Sequence, residues 1–208
     1  LITRFEEWDV LNKKKTLGFG ISKFRVFIGS KLLHGSSATY LFRDFTILHS
    51  LFFYYLSKSN LSLIDQLSSM AVSWFPENPD AWNLRSLSSQ RNGITEEAIG
   101  NCRKALSLDS NSFRLQFRLA SLLLLFGDAH SCLSELKKLK GDDSLKPSAL
   151  SLRGEAFSFL GKREFAVLEF RRSLLFYPIS GEVHLHLSEE LYEIDEMQKG
   201  LSHLRLWE

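Results

Sequence analysis

Cysteine is scarce in this 208-residue chain. Two residues, Cys102 and Cys132, are too few for a disulfide scaffold or a cysteine-built zinc site. Four prolines and twelve glycines exclude collagen-like and low-complexity sequence. Long apolar runs are missing too. The densest stretch, Phe45 to Leu56, is uncharged but far short of the ~20 residues a spanning helix needs. It predicts a buried helix. Neither sign of charge dominates, since 26 basic and 24 acidic residues leave a formal +2, which excludes a strongly polyanionic or polycationic chain. What remains is 44% hydrophobic and 24% charged, the balance of a packed globular chain rather than a disordered one. The first residue is Leu1 rather than Met, so the chain is expected to be a piece of a longer polypeptide, and its length allows one or two domains. Both cysteines fall on apolar positions of predicted helices. They read as small core residues in a reducing compartment: intracellular, with the cytoplasm favoured over nucleus or organelle matrix.

The chain repeats itself. Gly93, Gly127 and Gly161 are separated by 34 residues each time. The same step links Ser86, Ala120, Gly154 and Ser188 in a column of small residues. Ala98, Cys132, Ala166 and Gly200 form a second small column, and Cys102, Leu136, Phe170 and Leu204 a larger one. Pro76 and Pro178 lie three steps apart. Within a unit, apolar residues recur at helical spacing, as in Leu115, Leu119, Leu122, Leu123 and Phe126. Small residues let two helices approach closely, a glycine closes the link between them, and a proline ends the second helix. Asp109, Ser110, Asn111 and Ser112 are expected to supply capping oxygens. Helices are predicted near 45–57, 61–74, 79–91, 95–108, 112–126, 129–139, 147–160, 163–176, 181–193 and 195–206. No single pair can bury its apolar face alone, so neighbours must stack.

This register resembles the tetratricopeptide repeat (TPR) family. That family has small residues at repeat positions 8, 20 and 27, bulky ones at 4, 7, 11 and 24, and proline at 32. Units are laid down at 45–78, 79–112, 113–146, 147–180 and 181–208, preceded by a separate segment 1–44. The unit beginning at Pro79 carries Trp82, Ser86, Gly93, Ala98 and Ala105 in the family's places. The unit beginning at Pro147 carries Gly154, Phe157, Gly161, Ala166, Phe170 and Pro178. Departures are Leu139 at position 27 of the third unit, Phe52 at position 8 of the first and Asp195 in place of the last turn glycine. The implied fold is all-α, a right-handed superhelical solenoid of antiparallel helix pairs. Trp207 at position 27 of the last unit leaves an apolar end that more chain or another subunit is expected to cover.

Residues 1–44 depart from the repeat. No acid occurs between Val10 and Arg43, while Lys13, Lys14, Lys15, Lys23 and Arg25 are interleaved with Phe19, Phe24 and Phe27. Bases that bind phosphate beside aromatics that stack would suit nucleic acid or an anionic membrane. The plainer account is a connector onto the first repeat, with a strand pair in 17–28 as one option and Ser36-Ser37 as the N-cap of a helix entering that repeat.

No convincing catalytic constellation emerges, so the chain is read as a non-enzyme without cofactor or metal. His184 and His186 are two apart and point to different helix faces, unlike metal-binding pairs. His130-Ser131 lacks the other members of a triad. Gly18-Phe19-Gly20 lacks both a P-loop Lys-Ser/Thr and a third Rossmann glycine. Glu189, Glu190, Glu193, Asp195 and Glu196 read as a solvated acidic face, the alternative being a docking surface for basic peptide.

The resemblance implies a groove lined by the first helix of each pair, at repeat positions 2, 5, 9 and 12 with 6 partly inward. The corresponding partner-binding residues are Asn83, Leu87, Arg114, Phe117, Arg118, Ser121, Ser151, Glu155, Glu182 and Glu189. Arg114 and Arg118, one turn apart, match in type and place the last basic pair of the family's chaperone-tail clamp; His49, Phe53 and Leu84 stand where its other residues would be. They could hold an acidic peptide, or form salt bridges to neighbouring repeats. The function expected is a protein–protein interaction scaffold or adaptor within a larger assembly. Three alternatives stand beside it. One is a repeat module of a longer enzyme. Another is a prenyltransferase α-like subunit, suggested by the Asn78, Trp82 and Arg85 spacing. The third is an RNA-associated factor using the basic segment.

Overall fold

A computed structural model of the chain describes residues 44–139, 146–194, 200 and 202. Among them are nine complete helices and no strand: α1 (Phe45–Ser57), α2 (Leu61–Trp74), α3 (Pro79–Arg91), α4 (Thr95–Leu108), α5 (Phe113–Leu125), α6 (Ala129–Lys137), α7 (Pro147–Phe159), α8 (Arg163–Phe176) and α9 (Gly181–Glu193). Each falls within two residues of its predicted bounds. Of the predicted helix at 195–206, Gly200 and Ser202 are described, both helical. The basic segment, Ser36-Ser37, the 17–28 strand option, Asp195, Glu196 and Trp207 lie outside the described residues.

Local chemistry explains the boundaries. Asp44, Asn60, Asn78 and Asp128 each accept a hydrogen bond from a backbone N–H in the first turn of α1, α2, α3 and α6. Pro79 and Pro147 occupy the first turn of α3 and α7, where a missing N–H costs nothing. Pro76 and Pro178 stand just past the ends of α2 and α8, since the residue before a proline avoids the helical region. One expectation fails. Ser112 is the N-cap of α5 but makes no side-chain capping bond, and the turn closes instead through Ser112 N–H to the Asp109 carbonyl at 3.3 Å. A backbone turn has taken the place of the side-chain oxygen.

The described residues form two compact units, one ending at Phe75 and one beginning at Pro76. In the first, α1 packs on α2. The uncharged run inside α1 buries Leu48, Leu51, Phe52 and Tyr55, while Phe53 remains exposed. Only one face of that helix is therefore buried. Phe52, where other pairs carry a small residue, is fully buried.

In the second unit each helix packs on the next. Alternate helices also touch, α5 on α7 and α7 on α9, so the first helices of successive pairs form a wall. One core draws on α4 to α7, including Cys102, Leu119, Leu123, Cys132 and Leu136. A second joins α8 and α9 through Phe170, Val183, Leu187 and Leu191, with Phe157 of α7 against it. The small columns mark where backbones come closest. Ser86 Oγ donates to the Ala98 carbonyl at 2.8 Å, tying α3 to α4. A Cβ on Gly154 would stand 2.5 Å from the ring of Phe170, which is itself fully buried. A Cβ on Gly200 would meet the Ser188 carbonyl at 3.0 Å. Gly93, Gly127 and Gly161 all have positive φ, from +68° to +88°, which closes each link without the steric penalty a side chain would add. Leu139, too large for its column, is buried beyond the end of α6, which stops at Lys137.

Position 4 of the repeat reaches back to the preceding linker. Trp82 Nε1–H donates to the Pro76 carbonyl at 2.7 Å, and His184 Nε2 makes the equivalent bond to the Pro178 carbonyl at 2.8 Å. The acceptor is a carbonyl, so His184 carries its proton on Nε2 in this bond.

Two glycine replacements separate packing from propensity. Gly100→Ala, in α4 with no atom within 4 Å of the new Cβ, is expected to gain up to ~1 kcal/mol in urea denaturation. Gly154→Ala makes the same propensity gain but presses on Phe170, and is expected to lose about 1 kcal/mol net. Equal gains from both would show that α7 and α8 are not in close contact.

Candidate functional site

The wall of α5, α7 and α9 encloses one side of a cavity of about 770 Å³. Its upper lining comes from α5: Phe117, Ser121, Leu124 and Leu125. The start of α7 contributes Pro147, Ser148, Ser151, Leu152 and Glu155. Ser173 and Tyr177 close it from the end of α8, and Ser180, Glu182 and Val183 from the start of α9. These residues converge because positions 5, 9 and 12 of one first helix lie beside positions 2, 5 and 9 of the next when the two helices touch. Phe117 is held by a stacked contact with Phe113, ring centroids 5.7 Å apart. Lys146 Nζ in turn sits 3.8 Å from the Phe113 ring centroid, a cation–π contact.

Five of the ten groove residues expected from the sequence line this cavity: Phe117, Ser121, Ser151, Glu155 and Glu182. The other five do not. Asn83 is only 6% exposed, and its Oδ1 is buried without a hydrogen-bond partner, so it is withdrawn from any open surface. Leu87 is half-buried and Glu189 is exposed, both away from the cavity lining. Arg114 and Arg118 have their own local partners. Arg114 pairs with Asp80, the residue one full repeat earlier. Arg118 Nη2 donates to Gln90 Oε1 at 3.0 Å. Burial lowers the Arg118 pKa from its ordinary value; Cys102 opposes the shift, and nearby Arg114 and Arg91 add smaller contributions in the same direction as burial. Of the positions opposite the chaperone-tail clamp, His49 and Phe53 meet in a tilted contact with ring centroids 4.8 Å apart, and Leu84 is buried.

The register missed Ser173 and Tyr177 because it assigned the groove to first helices alone, whereas the end of a second helix also reaches it. Leu124 and Ser148 stand at positions 12 and 2 of the same register and were recoverable from it.

The acidic character of the cavity is unopposed among its lining residues, which include no Lys or Arg. Glu155 accepts a hydrogen bond from Ser151 Oγ at 3.2 Å. Burial raises its pKa above the ordinary carboxylate value, with Glu182 adding to the rise while His186 and the Ser151 bond oppose it. Of the neighbouring acidic stretch, Glu189 and Glu193 are exposed, as a solvated face would be, and Glu190 departs from it. Glu190 is 5% exposed, accepts from Ser158 Oγ and lies 3.5 Å from Arg163, which also pairs with Glu193 at 3.2 Å.

The remaining sequence motifs find structural work. Asp128 stands beside His130-Ser131 after all, but its carboxylate caps α6 by accepting from Ser131 N–H at 2.9 Å. Trp82 is engaged with Pro76 and Arg85 with Glu97 at 2.9 Å. No group of three metal-ligating side chains occurs among the described residues, and none of their helices is long and apolar enough to cross a membrane. Cys102 and Cys132 are free and buried. Desolvation pushes their thiols up to about 11 and about 12, far from the thiolate that reacts.

No family model matches the sequence, and no curated protein matches it. Solved structures do match. MamA from Desulfovibrio magneticus RS-1, residues 41 to the end, shares 16% identity over 77% of this chain and 91% of its own, with a TM-score of 0.66. The pilF protein of Pseudomonas aeruginosa shares 20% identity over 78% of this chain and 74% of its own, TM-score 0.71. A chain of the APC/C hetero-tetramer Cut9–Hcn1 shares 15% identity over 79% of this chain and 33% of its own, TM-score 0.68. These are tetratricopeptide-repeat structures, and the fold of this chain is the all-α TPR-like solenoid.

Two measurements follow from the site. Glu155 has a folded pKa above its unfolded one, so it favours the folded state most when protonated, and this contribution is lost as pH rises through the folded value. Glu155→Gln is therefore expected to be more stable than the parent at neutral pH, with the advantage shrinking as pH falls through the folded value and gone below the ordinary carboxylate value of 4.5, followed by urea denaturation across pH. Iodoacetamide is expected to leave both thiols untouched in the native chain and to label both in urea; rapid native labelling would contradict their burial.

Proposed function

We propose that this chain, with its tetratricopeptide-repeat fold, is a non-catalytic interaction scaffold or adaptor, a subunit of a larger protein assembly. Residues 45–208 act as the repeat domain, and a partner segment lies along the wall of α5, α7 and α9. The observation that carries this reading is the cavity of about 770 Å³, which offers apolar contact from Phe117, Leu124 and Tyr177 beside hydroxyl and carboxylate groups. That mixture suits a peptide segment, whose backbone needs polar partners and whose side chains need apolar ones. Of the ten groove positions inferred from the sequence, Phe117, Ser121, Ser151, Glu155 and Glu182 are the contact set. Arg114 and Arg118 flank it.

Membership in an assembly has separate support. Phe165, Leu168, Leu175 and Phe176 are all exposed along one stripe of α8, with Leu175 81% exposed. An apolar stripe of that extent is unusual on a surface that meets only water. The structural neighbours include a chain of an APC/C hetero-tetramer and a type IV pilus biogenesis factor, PilW. Two buried free thiols suit a reducing compartment, the cytoplasm first.

The test is capture of partners by the full chain and by two groove-blocking variants, Ser121→Arg and Ser148→Arg. Partners identified by mass spectrometry are expected to bind the parent and to bind the variants at least roughly tenfold more weakly, with circular dichroism unchanged. Undiminished capture by both variants would remove the cavity from the interface, and a monodisperse monomer that captures nothing would remove the scaffold role.

A further inference from the structure

The cavity's charge specifies what kind of segment it takes. Its lining holds two carboxylates, Glu155 on α7 and Glu182 on α9, and no Lys or Arg. Neither forms an ion pair with Lys or Arg among the described residues, in contrast to Glu97, Glu135, Glu169, Glu190 and Glu193, which all do. Among the described residues, His186 is the one basic side chain opposing the rise in the Glu155 pKa, and the neutral Ser151 hydroxyl donates to Glu155 at 3.2 Å. Glu155 is half-buried, so water supplies less of the compensation that an exposed carboxylate enjoys. The lining around the two acids also includes the apolar Phe117, Leu124 and Val183 and the ring of Tyr177. The arginines of α5 lie outside the cavity and are engaged, Arg114 with Asp80 and Arg118 with Gln90, so the basic end is less available than the acidic one.

We propose that the cavity between α5, α7 and α9 is a subsite for a lysine or arginine side chain of a partner protein's extended segment, flanked there by apolar residues. The cationic head lies between Glu155 and Glu182, and its aliphatic stem runs along Phe117 and Leu124, as such side chains do when the stem is buried and the charge is paired. The polarity is the reverse of a carboxylate-gripping groove. This inference rests on the scaffold reading above, since it names the partner chemistry of the same groove.

The probe is a phage-displayed library of random linear peptides selected on the full chain, with enriched sequences resynthesised and titrated by fluorescence anisotropy. Enriched peptides are expected to share a lysine or arginine between apolar residues. Their binding is expected to weaken as salt is raised and to fall roughly tenfold in Glu155→Gln combined with Glu182→Gln, with the circular-dichroism spectrum of that variant expected to match the parent's. Replacing the shared basic residue by norleucine is expected to produce a similar loss. Enriched peptides without a basic residue, or binding indifferent to the double replacement yet lost in Ser121→Arg, would overturn the cationic subsite while leaving the groove reading intact. Failure of any peptide to enrich, with partner capture undiminished in Ser121→Arg and Ser148→Arg, would overturn both.

Discussion

The close approach of paired helices at their small residues is the constraint on which the rest of the second unit depends. Ser86 touches the Ala98 carbonyl, Gly154 lies under the Phe170 ring and Gly200 faces the Ser188 carbonyl. Each contact fixes the separation and rotation of one helix relative to its neighbour, because a larger side chain at either place would collide with backbone or a buried ring. Once that geometry is set in successive pairs, the first helices come into contact as α5 with α7 and α7 with α9. The cavity is a consequence of this wall. Its residues are spread over more than sixty positions of sequence and meet only because the helices step regularly.

The linkers supply a second layer of definition. Trp82 and His184, chemically unlike, occupy the same repeat position and satisfy the same kind of acceptor, a proline carbonyl in the preceding linker. A proline carbonyl next to a helix start has no helical partner of its own, so a ring N–H at this distance meets its need. Leu150, at that position in another pair, is fully buried and contributes packing instead. The repeat thus tolerates exchange between a hydrogen bond and an apolar contact at one place.

Much of the fold was legible because it is written redundantly. Glycines at a step of 34 announce the links, and their positive φ explains why glycine stands there. Helix bounds followed from caps and prolines in short range of the chain. The site was legible only in part. Phe117, Ser121, Ser151, Glu155 and Glu182 follow from repeat position, but Tyr177 belongs to a second helix and reaches the cavity only through the stacking of three pairs. Asn83 has a groove position by register yet is buried, since register gives direction from the helix axis and says nothing about what covers that direction. Arg114 illustrates the same limit: its direction is clear from spacing, but its partner Asp80 is a full repeat away. Glu190, grouped with a solvated acidic run by composition, is instead buried against Ser158 and Arg163.

The uniform interval between Gly93, Gly127 and Gly161 has one more implication. Since the helices of the second unit touch mainly their immediate successors, adding or deleting one whole interval would leave every column aligned and every interface of the same kind. Gaining or losing a single amino acid inside a helix would instead rotate everything downstream by about 100° about that helix and put apolar side chains into water. A chain built this way can change its reach by whole modules far more readily than by single residues, so its size is a quantity that duplication can tune without redesigning the interior.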